Sequence, residues 1–481
     1  MQQVSERLSP VSIGVIVLIT LMAGGVAVGV GFGSTNTVGA LAFLSVALWF
    51  VVAWRFGIAA LIVISCIDGF IKIVHASTAT YMLKDITLGL TLIGMLAALA
   101  VRQDLRPHGS WRGVWVWGCF IAFLAVQIVN PSTSLSAAIA GFRAHALFAL
   151  LYVVGVVYFD GPKRFINAAN LVIAGITFAA FIGIVQYFMG DAWLQIAGGL
   201  QTASRHYVTF NPLASVIPGA TAVIYRSYGT LVDPEALGLA CSFGIIYASA
   251  ALARSRGMVT VMLSGAIVIM MIAMMFAGAR SAMLGAAVGS LALMVIAFTN
   301  PSMRRVAWLM AALFVLALPL SMKLSGGTVQ DRLSPDATGY AANTRTHSAN
   351  IVLNSVVTKP LGIGLGATGA GGKFRAQGTG GKNSSLAVDN LYLAYLYETG
   401  PLGLILLVAV QGSFLTLTFR AMRSARRVET QATYAGMAAA QVGLLTASFL
   451  TQGAFDYAPV SQAFWLFSGA IAIPKRVEGE A

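Results

Sequence analysis

Apolar runs of about 17 to 25 residues, the length that crosses a bilayer's hydrocarbon core as a helix, recur along the chain between short polar connections. They predict fourteen helices, at residues 13–32, 38–54, 57–74, 84–101, 113–129, 143–159, 166–189, 236–252, 258–278, 281–299, 306–324, 398–419, 431–454 and 459–474. The first run, Ile13 to Phe32, is too long for the apolar core of a signal peptide and reads as the first helix. Two longer polar stretches interrupt the series, at residues 190–235 and 325–390. In the second, Ile351, Val352, Ser355 and Val356 follow helical spacing after Asn343 and predict a short surface helix. The Gly-rich stretch Gly362 to Gly381 behind it is expected to be mobile and able to close as a lid. The fold class is all-α: a polytopic membrane protein of about 14 transmembrane helices, residues 1–481 forming a single membrane domain.

Composition agrees. With 58% apolar and 10% charged residues and a mean hydropathy of +0.82, the chain cannot hide its apolar surface in one soluble core, so its solvent is lipid. A net charge of +14 would suggest nucleic acid as the partner of a soluble protein. Here the basic residues alternate with the spans instead. One set of connections holds Arg55; Arg102, Arg106 and Arg112; Lys163 and Arg164; Arg254 and Arg256; Arg304 and Arg305; and Arg420, Arg423, Arg426 and Arg427, with Arg7, Lys475 and Arg476 in the tails. By the positive-inside rule that set and both termini are cytoplasmic, and residues 190–235 and 325–390 are extracytoplasmic. The partner is the bilayer rather than nucleic acid. Cys66, Cys119 and Cys241 fall within apolar spans, without disulfide or metal-ligand spacing, and read as small core residues.

The informative cations are those that orientation does not need. Arg143, Arg226 and Arg280 sit at helix ends or just before a span, and Arg345 lies in the second long loop. Arg280, in GARSAMLGA, occupies a tight turn between two apolar helices, where it is either a snorkelling anchor or a phosphate ligand. Asp233 and Glu235 have D-x-E spacing, a weak metal signal that competes with helix capping before Pro234. Asp68 with Lys72, and Lys84 with Asp85, read as structural ion pairs. Gly364, Gly366 and Gly369 satisfy G-x-G-x-x-G without a βαβ context, so the match carries no nucleotide site. Asp389 precedes an apolar stretch at the outer boundary, either as a helix N-cap or as a general base. His347 and Glu398 are the other candidate bases, and Gly400 with Pro401 predicts a break in the helix that carries Glu398.

Between Arg226 and Leu404 these segments resemble the O-antigen ligase and Wzy polymerase superfamily of bacterial membrane glycosyltransferases. The parts are R-x-x-G-T at Arg226 to Thr230, the Gly278 to Ser281 turn, R-x-H from Arg345 followed by KPLGIGLG, and D-N-x-Y-L with E-T-G-P-L-G-L at Asp389 to Leu404. The resemblance implies a metal-independent, inverting enzyme of the GT-C type in the bacterial inner membrane, with no cofactor. Its donor would be a glycan on undecaprenyl diphosphate, and its acceptor a second such glycan. A chain-length regulator and a flippase are the protein partners such an enzyme would have. Asp389 would be the general base, with Arg280, Arg345, Arg226 and also Arg143 as diphosphate ligands. Ligases of the superfamily usually carry His-Asn where this chain has Asp389 and Asn390, and commonly have about twelve helices. Both departures favour a polymerase over a ligase that transfers to lipid A core or protein, while a transporter is the reading outside the enzymes.

Overall fold

The computed structural model describes residues 51–74, 78–101, 113–190, 226–231, 233–300, 303–324, 335–368, 386 and 388–472. The described residues are helical apart from loops and one isolated bridge between Thr368 and Leu386. Among the described residues eight helices are long and apolar enough to cross a membrane, and the protein is an all-α, multi-pass membrane protein. The helices predicted at 13–32 and, but for its last residues, at 38–54 lie outside the described residues.

Two compact units are present. The first, residues 1–64 and 78–107, holds the start of α1 (Trp54–Val74) and α2 (Thr78–Val101). There Gly94 allows α2 to lie against the Val51 carbonyl, where a Cβ would come within 2.3 Å.

The second unit holds residues 65–77 and 108–481. Its helices are α3 (Val114–Val126), α4 (Leu135–Ala146), α5 (Leu151–Tyr158), α6 (Pro162–Met189), α7 (Pro234–Ala251), α8 (Met258–Ala277) and α9 (Arg280–Thr299). They continue with α10 (Arg304–Leu324), α11 (Pro335–Thr358), α12 (Leu391–Ser424), α13 (Val428–Ala447) and α14 (Val460–Ser468). Helix α7 is almost wholly buried, packed among α6, α8, α9 and α13. Without a hydrophobic drive between helices in lipid, such packing depends on small residues that let backbones approach. Gly285 of α9 and Gly443 of α13 meet in this way, a Cβ on Gly443 falling 2.5 Å from the Gly285 carbonyl.

Several boundaries differ from the sequence pattern for local reasons. The sixth predicted span begins at Leu135 rather than 143, because Ser134 caps the Ala137 amide. A 3-10 turn at Phe148–Leu150 then separates α4 from α5. The span expected from 398 begins at Leu391, where the Asn390 side chain accepts from the Leu393 amide at 3.0 Å. The N-cap is thus Asn390, which corrects the capping role considered for Asp389. Inside α12 the expected break is present: Gly400 has φ 71°. Pro401 lacks the N–H that would bond the Tyr397 carbonyl, and the Ile363 amide supplies that bond at 3.0 Å.

Three further expectations change. The short surface helix is the 24-residue α11, and it packs on α12 by burying Val352 against Val388 and Ala394. The start of the Gly-rich stretch, Gly362 to Thr368, is buried rather than lid-like. Gly366 takes φ 77° and lies so close to Ala137 that a Cβ would meet its carbonyl at 2.3 Å. The remainder of that stretch, from Gly369, lies outside the described residues. Cys66 and Cys241 are buried, but Cys119 is exposed. Helix α3 turns Phe120 and Leu124 inward at i,i+4 spacing, which leaves Cys119 on the other side. Asp68 and Lys72 pair at 2.7 Å as predicted.

Candidate active site

The start of α7, the start of α9 and the approach to α12 bring their charges together. Asp233 caps α7 by accepting from the Ala236 amide at 2.8 Å, with Pro234 in the first turn. Glu235 follows, and its Oε1 accepts from Ser281 Oγ of α9 at 3.1 Å. Arg280 is the residue before Ser281 and opens α9. It interacts electrostatically with Arg345 of α11 and with Asp389, while Glu235 interacts with Asp389 and Arg226. Four elements therefore contribute charge to one place, and helix N-termini add the partial positive charge of their backbone amides.

Arg226 is set by the segment in front of α7. The Ser227 amide bonds the Phe276 carbonyl at 3.2 Å, and the Tyr228 and Gly229 amides both bond Gln186 Oε1 at 2.9 Å. This clamps Arg226 to Leu231 between α6 and the end of α8. Arg226 Nε then donates to the Ala277 carbonyl at 2.8 Å. Burial lowers the pKa of its guanidinium, opposed by Glu235 and Asp233. Two carboxylates thus neutralise Arg226. Arg280 and Arg345, by contrast, repel one another beside the single exposed carboxylate of Asp389.

Other side chains complete the surroundings. Arg345 donates to the Leu450 carbonyl at 3.2 Å. Tyr457 hydrogen-bonds Asp233, and burial followed by the Asp233 and Glu235 charges holds its pKa well above the ordinary tyrosine value. Thr451 hydrogen-bonds Glu235. Asp233 and Glu235 are thus engaged in capping and in hydroxyl contacts, and among the described residues no group of three His, Cys, Asp or Glu is placed to hold a metal ion. Asp389 is exposed, as is His347. Glu398, considered as a base, is 1% exposed and bonded to His145 and Thr368, so it is closed to a substrate. Arg143 is exposed on α4 and is not among the charges that couple to Arg226, Glu235 or Arg280.

The order of these groups along the chain, with arginines opening α9 and lying in α11 and a carboxylate at the entry to α12, can be compared with known families. Residues 265–408 match the family model described as O-antigen ligase. The match covers that segment of the chain and supports the resemblance to the O-antigen ligase and Wzy superfamily. The ligase-family segment takes in Arg280, Arg345 and Asp389, and stops short of Arg226 and of the strand of chain around Thr451 and Tyr457. No curated protein matches the chain. Members of the family are glycosyltransferase-like enzymes acting on lipid-linked glycans, which fits a multi-pass membrane protein with clustered cations.

Glu235, weighed in the sequence only as a cap or metal ligand, and Thr451 and Tyr457 were not identified as parts of this site. Tyr457 follows Asp456, an acid in an otherwise apolar region from 431 to 474, and that isolated charge was the available signal.

Proposed function

We propose that the protein is a polymerase that joins oligosaccharide repeat units carried on undecaprenyl diphosphate into O-antigen or exopolysaccharide. In this reading it works on the outer face of the bacterial inner membrane, with both termini cytoplasmic, by metal-independent inverting transfer. Arg280 and Arg345 hold the diphosphate and stabilise the charge that develops as it leaves, as fixed cations in a low-dielectric rim. Asp389 accepts the proton of the acceptor hydroxyl as its oxygen attacks the anomeric carbon. Arg226, neutralised by Asp233 and Glu235, orders the floor of the site and reaches the diphosphate only secondarily.

The observation that carries this reading is the approach of Arg280 and Arg345 despite their repulsion, with an exposed carboxylate beside them. Such a pair is stabilised by a bound polyanion, and a diphosphate is a suitable one. The test is to give the purified protein a lipid-linked repeat unit and resolve products by gel. A ladder of longer lipid-linked glycans supports a polymerase. Transfer only when lipid A core is supplied makes the protein a ligase.

A transporter is the second reading, favoured by the buried His145–Glu398 contact beside the broken helix at Gly400. Counterflow of lipid-linked glycan across proteoliposomes without any new glycosidic bond would select it.

A further inference from the structure

Residues 448–457, between α13 and α14, contain one short 3-10 turn at Gly453–Phe455 and otherwise no helix of their own. Yet this strap bonds Arg345, Glu235 and Asp233 of the candidate site and the two residues that follow Asp389. The Ser448 carbonyl accepts from the Leu391 amide at 2.9 Å, and the Phe449 carbonyl from Asn390 Nδ2 at 3.1 Å. The Leu450 carbonyl accepts from Arg345 at 3.2 Å. Thr451 bonds Glu235, and Tyr457 bonds Asp233.

Something else must hold the strap, and two of its residues reach away from the site into a buried network. Gln452 Nε2 donates to Thr368 Oγ1 at 2.8 Å. The amide and hydroxyl of Thr368 both donate to Glu398 Oε1, at 2.7 and 2.6 Å. Glu398 Oε2 is 2.9 Å from His145 Nε2, and His145 Nδ1 is 3.7 Å from Asp456 Oδ1. His145 Nδ1 and Asp456 Oδ1 are buried and have no hydrogen-bond partner. In chain order the arrangement interlocks: Gln452 follows Thr451, and Asp456 precedes Tyr457. Each residue gripped by the buried network therefore adjoins one that touches the site.

We propose that His145 and Asp456 are positioning residues, which hold the 448–457 strap in register so that Arg345 and the entry to α12 with Asp389 share one cleft. The activity readout of this proposal rests on the glycosyl-transfer reading above; the strap's placement does not. The groups that face Asp456 are His145 from α4, Glu398 and Tyr395 from α12, and Tyr457 from the strap itself. Burial pushes the Asp456 carboxyl up to about 6, with Glu398 adding to the rise and His145 opposing it. Above that pH Asp456 is an anion facing His145, and as pH falls through it the attraction is lost and the grip on the strap loosens.

The experiment uses the full chain in nanodiscs and the variants His145→Gln, Asp456→Asn and Gln452→Ala. Hydrogen exchange is read at the Leu391 amide, and turnover of a lipid-linked repeat unit is followed from pH 5 to 8. We expect Leu391 exchange to rise about tenfold or more in each variant. We expect kcat to fall by roughly 10- to 100-fold, as displaced catalytic groups produce, with donor KM within about threefold. The acid limb near pH 6 should be present in the wild type and absent from Asp456→Asn, which is fixed in the neutral form. Unchanged Leu391 exchange in folded variants overturns the proposal, and so does an acid limb that survives in Asp456→Asn. If His145→Gln does not fold, the half-buried Gln452→Ala decides by the same two readouts. If no protein turns over substrate, the glycosyl-transfer reading falls, while exchange at Leu391 still decides the strap.

Discussion

Replacing Arg280 with alanine removes one of two guanidiniums that interact electrostatically beside Asp389. At about 4 Å, and with an effective dielectric of roughly 20 for a half-buried group, two unit charges interact by about 4 kcal/mol. In the proposed transfer, departure of the glycosyl group would shift about one further negative charge onto the diphosphate, so the interaction with Arg280 would grow along the reaction. Losing it should cost roughly 3 to 4 kcal/mol of transition-state stabilisation, about 10²- to 10³-fold in kcat. Stability should behave differently. Arg345 repels Arg280 while Asp389 attracts it, so the two effects oppose and the unfolding temperature should stay close to that of the wild type. Arg280→Lys keeps the charge but loses the planar fork, and should retain more activity than alanine. The assay is initial-rate turnover of a lipid-linked repeat unit, with thermal unfolding of each variant in the same detergent. A kcat for Arg280→Ala within about threefold of wild type, in folded protein, would refute the assignment.

Four other substitutions separate catalysis from structure. Asn390→Ala should lower stability by about 1 kcal/mol through loss of the α12 cap, whereas Asp389→Asn should leave thermal unfolding unchanged and abolish turnover. Gly400→Ala should destabilise the protein by about 1 to 3 kcal/mol from its backbone alone, since positive φ with ψ near 180° is a region essentially confined to glycine. Its Cβ would also fall 2.1 Å from the Pro360 carbonyl, and urea titration would measure the loss. Arg345→Ala should reproduce the kcat loss of Arg280→Ala, and the double variant should lose less than the product of the two, since in the proposed mechanism both cations act on one leaving group.

Much of the helix framework was legible because lipid imposes a simple requirement: every backbone group must be satisfied within a helix of fixed length. Boundaries were less so. Leu135 and Leu391 begin helices well before the apolar runs do, because Ser134 and Asn390 supply caps that hydropathy does not register. Arg226, Arg280 and Arg345 stood out as cations unexplained by orientation and Asp389 as a charge at the outer boundary, and all four are coupled through Arg280. Arg143 looked equivalent in sequence, since exposure and coupling depend on which way its helix faces. The buried partners were hidden for a different reason. His145, Glu398, Thr368 and Gln452 come from four distant segments, and only folding brings each within 3 Å of the next. Cys119 shows the converse: an apolar span does not say which of its sides is inside.

In the proposed mechanism fixed arginines, without a metal, carry the departing diphosphate. This is tested most directly by incubating the purified protein with an undecaprenyl-diphosphate-linked repeat unit in EDTA, beside Arg280→Ala and Arg345→Ala. Product should be undiminished in the wild type and lower by about two to three orders of magnitude in each variant. Turnover that EDTA abolishes and added divalent ions restore, or that either alanine variant retains, would contradict it.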